Sequence, residues 1–330
     1  MSQSPPGVSP LRYLSAAAVD ECLPPVEERI ELAAEALGAL GRGEAEMPPK
    51  LGVHPRPGAL IHAMPAWLRT RDLVGLKWIA AFPDNRRHEL PAINGLVVLN
   101  DAETGLPTWI IDAGRITAVR TAAVSGVALR LFAPSAARTV AILGGGVQAA
   151  SHLEVVGALL PDARMLIYDR HPERAEGLAT AANLRSGRDL ARVAETARAA
   201  TAEADIVITV ATLTVDGQVM TASWLRDGGE RLVVAVDFAT YVAAGLANDA
   251  DEFVVDDREQ FLAYRDAGYF DGYPVPSATL GELLDGRAGA SSANQLTLVT
   301  HLGVGLADVV IGAAIAAAAG ERGIGQSLGG

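Results

Sequence analysis

The sequence predicts an α/β chain of two domains, one of them a doubly wound parallel sheet. Three observations carry that expectation: a length of 330 residues, short apolar runs alternating with helical segments after Pro134, and three consecutive glycines directly behind the first of those runs. At roughly 100–200 residues per domain the length fits two. Apolar residues make up 50% of the chain and charged residues 20%, enough to bury a sizeable core. The formal net charge of −12 argues against nucleic acid, whose phosphates call for clustered Lys and Arg. It argues equally against an anionic membrane surface. It leaves room for an anionic small molecule, which a few local cations can hold.

The elements follow in order. Pro25 to Leu40 carries apolar residues at helical spacing (Ile30, Ala33, Leu37, Leu40) and reads as an amphipathic helix. Prolines 48, 49, 55 and 57 interrupt. Strand-like runs come next at Ala59 to His62, Leu76 to Ala80, Ile93 to Asn100 and Thr108 to Asp112, the last two forming a hairpin around Asp101 to Gly105. Thr117 to Leu131 is Ala-rich and reads as a long helix. Thr139 to Leu143 is short, apolar and β-branched, as expected of a buried parallel strand. Behind it, helices at Val147 to Leu160 and Glu173 to Ala182 alternate with strands at Arg164 to Tyr168, Asp205 to Val210, Leu232 to Val236 and Glu252 to Val255. Leu296 to Ala319 reads as one long apolar helix, and the Gly-rich tail from Gly320 to Gly330 as frayed.

Gly144-Gly145-Gly146-Val147-Gln148-Ala149 fits G-x-G-x-x-A between a predicted strand and a predicted helix. Gly144 permits the tight turn, Gly146 lets a pyrophosphate approach the backbone, and Ala149 lets the helix pack close to the sheet. The phosphates would meet the unpaired N–H groups and the dipole of the helix N-terminus. Asp169 ends the next strand, about 20 residues on, where it can accept from a ribose 2′-hydroxyl. In that context the motif predicts a Rossmann domain binding a dinucleotide. Asp169 favours NAD. Arg170 and Arg174 could pair a 2′-phosphate and keep NADP open, or simply form a solvated helix face.

The single cysteine, Cys22, excludes an internal disulfide and fits a reducing compartment; no base partner supports a catalytic role for it. Met1 to Pro10 lacks the basic and apolar regions of a signal peptide, and Val309 to Ala319 is too short to span a bilayer. A cytoplasmic location is expected. The six histidines show no metal-ligand spacing, so no metal is expected.

Several blocks then stand in a familiar order: Met64-Pro65-Ala66, Gly75-Leu76-Lys77-Trp78, Leu99-Asn100-Asp101 with Thr104-Gly105, Ile116 to Ala123 with Arg120-Thr121-Ala122-Ala123, the glycine loop, Leu302-Gly303 and Asp308. From about Pro48 to Ala313 the chain resembles the ornithine cyclodeaminase/mu-crystallin family. The resemblance implies a smaller α+β domain for substrate binding and dimerisation, from residues 1–134 and 296–330, with the Rossmann domain, residues 135–295, inserted between them. It implies a homodimer that uses NAD(P) to act at the C–N bond of a small amino or imino acid.

Carried over position by position, the resemblance points to Lys77 and Arg120 as residues that hold the substrate carboxylate, with Lys50 and Met64 beside them, and sets Arg120, Thr121 and Asp308 toward the cofactor. Lys77 could also relay a proton if its pKa is depressed. For Arg120 the plainer alternative is a surface salt bridge. There are departures. Lys50 stands for an arginine, losing the fork. His62 stands where ornithine-type members have a glutamate for the distal amine. The run Ala235-Val236-Asp237-Phe238-Ala239-Thr240 puts Ala239, not Asp237, at the position of the catalytic aspartate. Ala92 replaces a cofactor-contacting threonine and His301 a serine. His62 and His301 are acid–base candidates, Asp237 remains a catalytic candidate if displaced by two positions, and Tyr241 is a further donor. These losses favour an imine reductase or amino acid dehydrogenase. The alternatives are a cyclodeaminase working with catalytic NAD and a non-catalytic dinucleotide binder.

Overall fold

A computed structural model describes residues 10–211, 218–238, 241–286 and 295–328. In chain order they form β1 (Arg12–Leu14), α1 (Ala16–Glu21), α2 (Val26–Gly41), β2 (Ala45–Glu46), β3 (Leu51–Arg56), β4 (Ala59–Leu68), β5 (Leu73–Ala81), β6 (Ile93–Asn100), β7 (Pro107–Asp112) and α3 (Ala113–Phe132). There follow β8 (Thr139–Leu143), α4 (Val147–Leu159), β9 (Arg164–Tyr168), α5 (Pro172–Ser186), β10 (Ala191–Val193), α6 (Ala197–Glu203) and β11 (Ile206–Thr209). The chain closes with β12 (Arg231–Ala235), α7 (Ala244–Asp249), β13 (Glu252–Val255), α8 (Arg258–Asp266), β14 (Ala278–Thr279), α9 (Leu280–Leu284), β15 (Leu296–Thr300), α10 (Gly305–Glu321) and β16 (Gln326–Ser327). Two compact units result, residues 1–120 with 304–330 and residues 121–303.

The first unit is built on a sheet ordered β16-β1-β7-β6-β5-β4-β2, with β3 also paired to β4. Its middle, β3 to β7, is antiparallel throughout. Alternation along β4 and β5 turns Met64, Lys77 and Ile79 inward, all buried. α10 packs against β4, β5 and β6, and also against α2. The opposite face is apolar yet open: Leu51 is 68% exposed, Trp78 45% and Leu96 38%. Register places these side chains together, because Leu51 pairs with Ala63, Ala63 with Trp78 and Trp78 with Leu96. Pro55 is tolerated in β3 because that strand pairs on one side.

The second unit is a parallel sheet ordered β10-β9-β8-β11-β12-β15-β13-β14. Every residue of β8, β11 and β15 is buried, the signature of strands covered on both faces. The order in which strands are added reverses between β8 and β11, which pair in parallel; this is the switch point at which open α/β sheets bind ligands. Phe253, Phe261, Phe270 and Tyr273 fill one flank of the core, with Phe261 and Phe270 ring centroids 4.9 Å apart.

Two expectations are corrected. Leu296 to Ala319 is a strand and a helix, not one helix. Leu296-Thr297-Leu298-Val299-Thr300 is rich in β-branched residues and pairs in parallel with β12 and β13, and Gly303, at φ 89°, turns the chain before α10 begins. Nor is the tail frayed through its glycines. β16 pairs antiparallel with β1, Arg12 donates to the Ile324 carbonyl at 2.8 Å, and the Arg322 guanidinium meets Glu21 at 2.6 Å. Gly323 and Gly325 serve this turn with φ of 67° and 114°. No described helix is long and apolar enough to cross a membrane, and no metal-ligating cluster of three or more His, Cys, Asp or Glu occurs among the described residues.

Candidate functional site

In the first unit three charges are buried together. Lys77 on β5 is 1% exposed, Arg120 on α3 5% and Asp308 on α10 0%. The Lys77 ammonium lies 2.7 Å from Asp308 Oδ2, and Arg120 Nε donates to Asp308 Oδ1 at 3.0 Å. Burial, followed by the Arg120 guanidinium, pulls Lys77 down from 10.5 to about 7, against the upward pull of Asp308. Arg120 Nη1 is buried and meets no acceptor in the described structure, a donor left over in a setting where unmade hydrogen bonds are costly. Two cations face one acid, an arrangement with room for a further anion.

Met64 pairs with Lys77 across the sheet and is 3% exposed. Gly305, which opens α10, lies so close that an added Cβ would stand 3.0 Å from the Met64 carbonyl oxygen. His62 is half-buried one step along the same face, and the half-buried Lys50 precedes β3. Burial first, then the charges of Lys50, His54 and Lys77, holds His62 down to about 4, so its imidazole is neutral at neutral pH.

In the second unit the glycine loop lies at the switch point. Gly144 takes φ 129°, and a Cβ there would approach the Val210 carbonyl oxygen to 2.8 Å; only glycine fits. Gly146 caps α4 in an extended conformation without a side-chain cap, and a Cβ on it would meet nothing within 4 Å. Among the described residues no protein atom requires that glycine, which fits a group from outside approaching the backbone. Val147 beside it is 70% exposed, although apolar, and Ala149 is fully buried under the sheet. Gln148 Oε1 is buried without a hydrogen-bond partner in the described structure. Asp169 clamps this loop: Oδ2 accepts from Gly145 N at 2.6 Å and Oδ1 from His171 N at 2.8 Å. Arg170 and Arg174 are exposed. These residues fit a dinucleotide.

Asp237, at the end of β12, is 6% exposed. It accepts from Thr209 Oγ1 at 2.9 Å and from Ala211 N at 3.3 Å, tying the ends of β11 and β12. Phe238 follows in the left-handed region at φ 50°. Ala239 and Thr240 lie outside the described residues. Tyr241 is pushed up to about 12, chiefly by burial. Thr121 is buried, 5% exposed, and Ala92 is partly buried ahead of β6.

His301 belongs to a buried relay whose other members, Ser125 and His152, carry no motif in the sequence. His152 Nδ1 lies 2.7 Å from the Gln148 carbonyl oxygen, which only accepts, so that nitrogen carries the proton. His152 Nε2 then accepts from Ser125 Oγ at 2.8 Å, and the hydroxyl in turn accepts from His301 Nε2 at 2.8 Å. Burial keeps His152 at about 4, consistent with a neutral ring in one fixed tautomer. The structure thus groups Lys77 with Arg120 and Asp308, His62 with Lys50, and Asp169 with the glycine loop. Asp237 is held by Thr209 and Ala211 at the ends of β11 and β12.

The sequence profile of the ornithine cyclodeaminase/mu-crystallin family matches residues 13–322. Nodulation efficiency protein NfeD of Rhizobium meliloti is 36% identical over 324 residues, covering 96% of this chain and 98% of that protein. The structure of Thermococcus litoralis Δ1-pyrroline-2-carboxylate reductase, in complex with NADH and L-proline, has a TM-score of 0.86 at 25% identity, covering 96% of this chain and 100% of that one. An archaeal alanine dehydrogenase dimer with bound NAD has a TM-score of 0.84 at 25% identity, covering 97% and 99%.

Proposed function

The chain belongs to the ornithine cyclodeaminase/mu-crystallin family, and on that premise we propose that it is an NAD-dependent oxidoreductase reducing the C=N bond of a small imino acid, or running the same reaction backwards as an amino acid dehydrogenase. The observation that carries the reading is the buried Lys77–Asp308–Arg120 cluster with its unmatched Arg120 Nη1 donor. When bound, the reduced nicotinamide supplies hydride to the imine carbon. The chain's residues do the rest. Arg120 donates to the substrate carboxylate, and Asp308 keeps its guanidinium oriented. Lys77 is the catalytic proton donor. Near pH 7 it exists in both protonation states, so it can attract the carboxylate as an ammonium and give a proton to the imine nitrogen as the C=N electron pair settles there. Lys50 and Met64 complete the substrate-facing row, with His62 beside them. Asp237 acts as the anchor of its turn, accepting from Thr209 and Ala211, and Ala239 stands where the resemblance puts the cyclodeaminase aspartate; together these argue against a cyclodeaminase.

Gly144, Gly146, Val147, Gln148 and Ala149 would hold the pyrophosphate at the α4 N-terminus. Asp169 would accept from the ribose 2′-hydroxyl and repel a 2′-phosphate, which supports NAD over NADP. The open apolar face around Trp78 and Leu96 supports a homodimer, as does the dimeric alanine dehydrogenase relative. One cysteine in 330 residues supports a cytoplasmic location.

The test is loss of the near-ultraviolet absorbance of NADH or NADPH mixed with protein and a panel of cyclic and acyclic imino acids. Consumption of NADH with one or more imines supports the reading. If neither cofactor is consumed with any imine, the reductase reading is wrong, and ammonia release from diamino acids becomes the next measurement.

A further inference from the structure

The relay of Ser125, His152 and His301 has a direction, and the direction fixes what its last member can do. None of the three is more than 1% exposed. The relay starts at the Gln148 carbonyl oxygen, which obliges His152 Nδ1 to donate. Each later link inherits that choice, so His301 Nε2 donates to Ser125 Oγ at 2.8 Å. The neutral His301 ring therefore carries its proton on Nε2 and its lone pair on Nδ1. The family resemblance sets a serine at this position, and a hydroxyl can turn to donate or to accept. His301 has no such choice: while neutral, its Nδ1 can only accept.

His301 directly follows β15, and its backbone N–H donates at 3.1 Å to the carbonyl of Ala235, the last residue of β12. It stands at the carboxyl ends of the strands, where open α/β sheets hold their ligands. The glycine loop follows β8 and Asp169 follows β9, on one side of the switch point; β11, β12 and β15 lie on the other. With one ribose at Asp169 and the pyrophosphate at α4, the second nucleoside of a dinucleotide extends over β11, β12 and β15. From β15 the His301 imidazole reaches back to within two hydrogen bonds of His152, on the second turn of α4.

The two sides of the crevice differ in what they offer. The α4 N-terminus presents N–H donors, as a pyrophosphate requires. The relay ends in an acceptor. Gln148, whose carbonyl starts it, holds another: its Oε1 is buried and has no hydrogen-bond partner in the described structure. A nicotinamide nucleoside brings matching donors, an amide N–H2 and ribose hydroxyls. We propose that His301 Nδ1 accepts a hydrogen bond from the carboxamide N–H2 of the nicotinamide, and that Ser125 and His152 are positioning residues that keep it in the accepting form. His301 would thereby fix which face of the nicotinamide ring is presented for hydride transfer. The assignment requires NAD binding and holds whichever imine is reduced.

The test compares NAD⁺ with its acetylpyridine analogue, in which a methyl group replaces the amide nitrogen and the donor is lost. In calorimetric titrations the parent is expected to bind NAD⁺ ~10-fold more tightly than the analogue. His301→Leu should bring the two affinities within ~2-fold of each other by weakening NAD⁺ alone. Ser125→Ala should shrink the ratio in the same way, because a ring free to put its proton on Nδ1 no longer accepts there. A residue that only supported packing would weaken both ligands alike. Nitrogen-15 NMR of the labelled parent decides if a variant fails to fold: the His301 Nδ1 resonance should move when NAD⁺ is added, and much less with the analogue. Equal affinities in the parent, a ratio unchanged in His301→Leu, or an Nδ1 resonance that NAD⁺ leaves in place each overturns the assignment. A ratio that survives in Ser125→Ala overturns the positioning role. Binding of neither dinucleotide overturns the assignment together with the cofactor reading.

Discussion

Asp308→Asn is the substitution with the most to say about the charge cluster. Asp308 Oδ2 lies 2.7 Å from the Lys77 ammonium. At an effective dielectric of about 20, Coulomb's law gives roughly 6 kcal/mol of attraction at that distance. Relaxation lowers the net effect, and removing one partner of a buried pair typically costs about 3–5 kcal/mol. Divided by about 1.4 kcal/mol per pKa unit, even the lower figure moves Lys77 down by roughly two units, from about 7 to about 5. The sign follows directly: Asp308 favours the ammonium, so its loss favours the neutral amine. The assay is amino acid affinity for the protein–NAD⁺ complex as a function of pH. In the parent, affinity should fall as pH rises through about 7. In the variant it should already be weak at pH 6, with the fall displaced to about pH 5. Unfolding should come ~3 kcal/mol more easily. A variant whose pH midpoint stays where the parent's is would refute the pairing of Lys77 with Asp308 as the device that sets this titration.

Other predictions follow from the same geometry. Lys77 has a folded pKa of about 7 against an ordinary 10.5, so between those values the unfolded chain binds the extra proton; stability should climb as pH rises through that window. Lys77→Met should flatten that climb in denaturant titrations at pH 7 and 9, and an unchanged slope would count against it. His152 has the same sign at lower pH: held at about 4 against 6.5, it should cost ~3 kcal/mol as pH falls across that range. Ser125→Ala should shift the Nε2 resonances of His152 and His301 in nitrogen-15 NMR of labelled protein, while His152 keeps the Nδ1-protonated tautomer fixed by Gln148; unaltered Nε2 shifts would sink the relay. Asp169→Ala should narrow the gap between NADH and NADPH affinity by ~10-fold or more, and a constant ratio would show that Asp169 does not read the ribose. Trp78→Glu, on the open sheet face, should halve the sedimenting mass; a dimer that survives uses another surface.

The sequence was legible where local chemistry and global fold agree. β8 and the glycine loop could be read directly, because a buried β-branched strand followed by Gly144 and Gly146 has few other uses. The hairpin of β6 and β7 was equally plain from its turn residues. β15 was hidden by its company. Five residues of strand adjoin a long apolar helix, and an apolar run does not reveal its period when every face is buried. The tail was misread because its glycines suggest disorder, whereas the pairing of β16 with β1 joins residues more than 300 positions apart. Among site residues, Lys77 and Arg120 stood out as charges in apolar elements. Asp308 was marked only by the family resemblance, and its partners lie on β5 and α3, of which sequence spacing says nothing. Ser125 and His152 gave none, because Ser and His on an Ala-rich helix are unremarkable until a third polar group meets them.

Those three buried charges also bear on why the site is costly. Taking Lys77, Arg120 and Asp308 out of water demands several kcal/mol per ion before any pairing returns it. One acid cannot fully answer two cations, and the depressed Lys77 together with the unmatched Arg120 Nη1 show the shortfall. Apolar residues of similar volume would pack β5 against α10 more stably. A fold optimised for stability alone would have no reason for the trio. A carboxylate ligand supplies what is missing: it gives Arg120 Nη1 an acceptor, favours the Lys77 ammonium and brings the cluster to neutrality. Substrate binding should therefore stabilise the first unit and raise the Lys77 pKa together, so the proton that Lys77 would later deliver is drawn in by the carboxylate it holds. A thermal shift on amino acid binding that grows from pH 6 to pH 8 would contradict this coupling, since the ammonium form that binds is already depleted at pH 8.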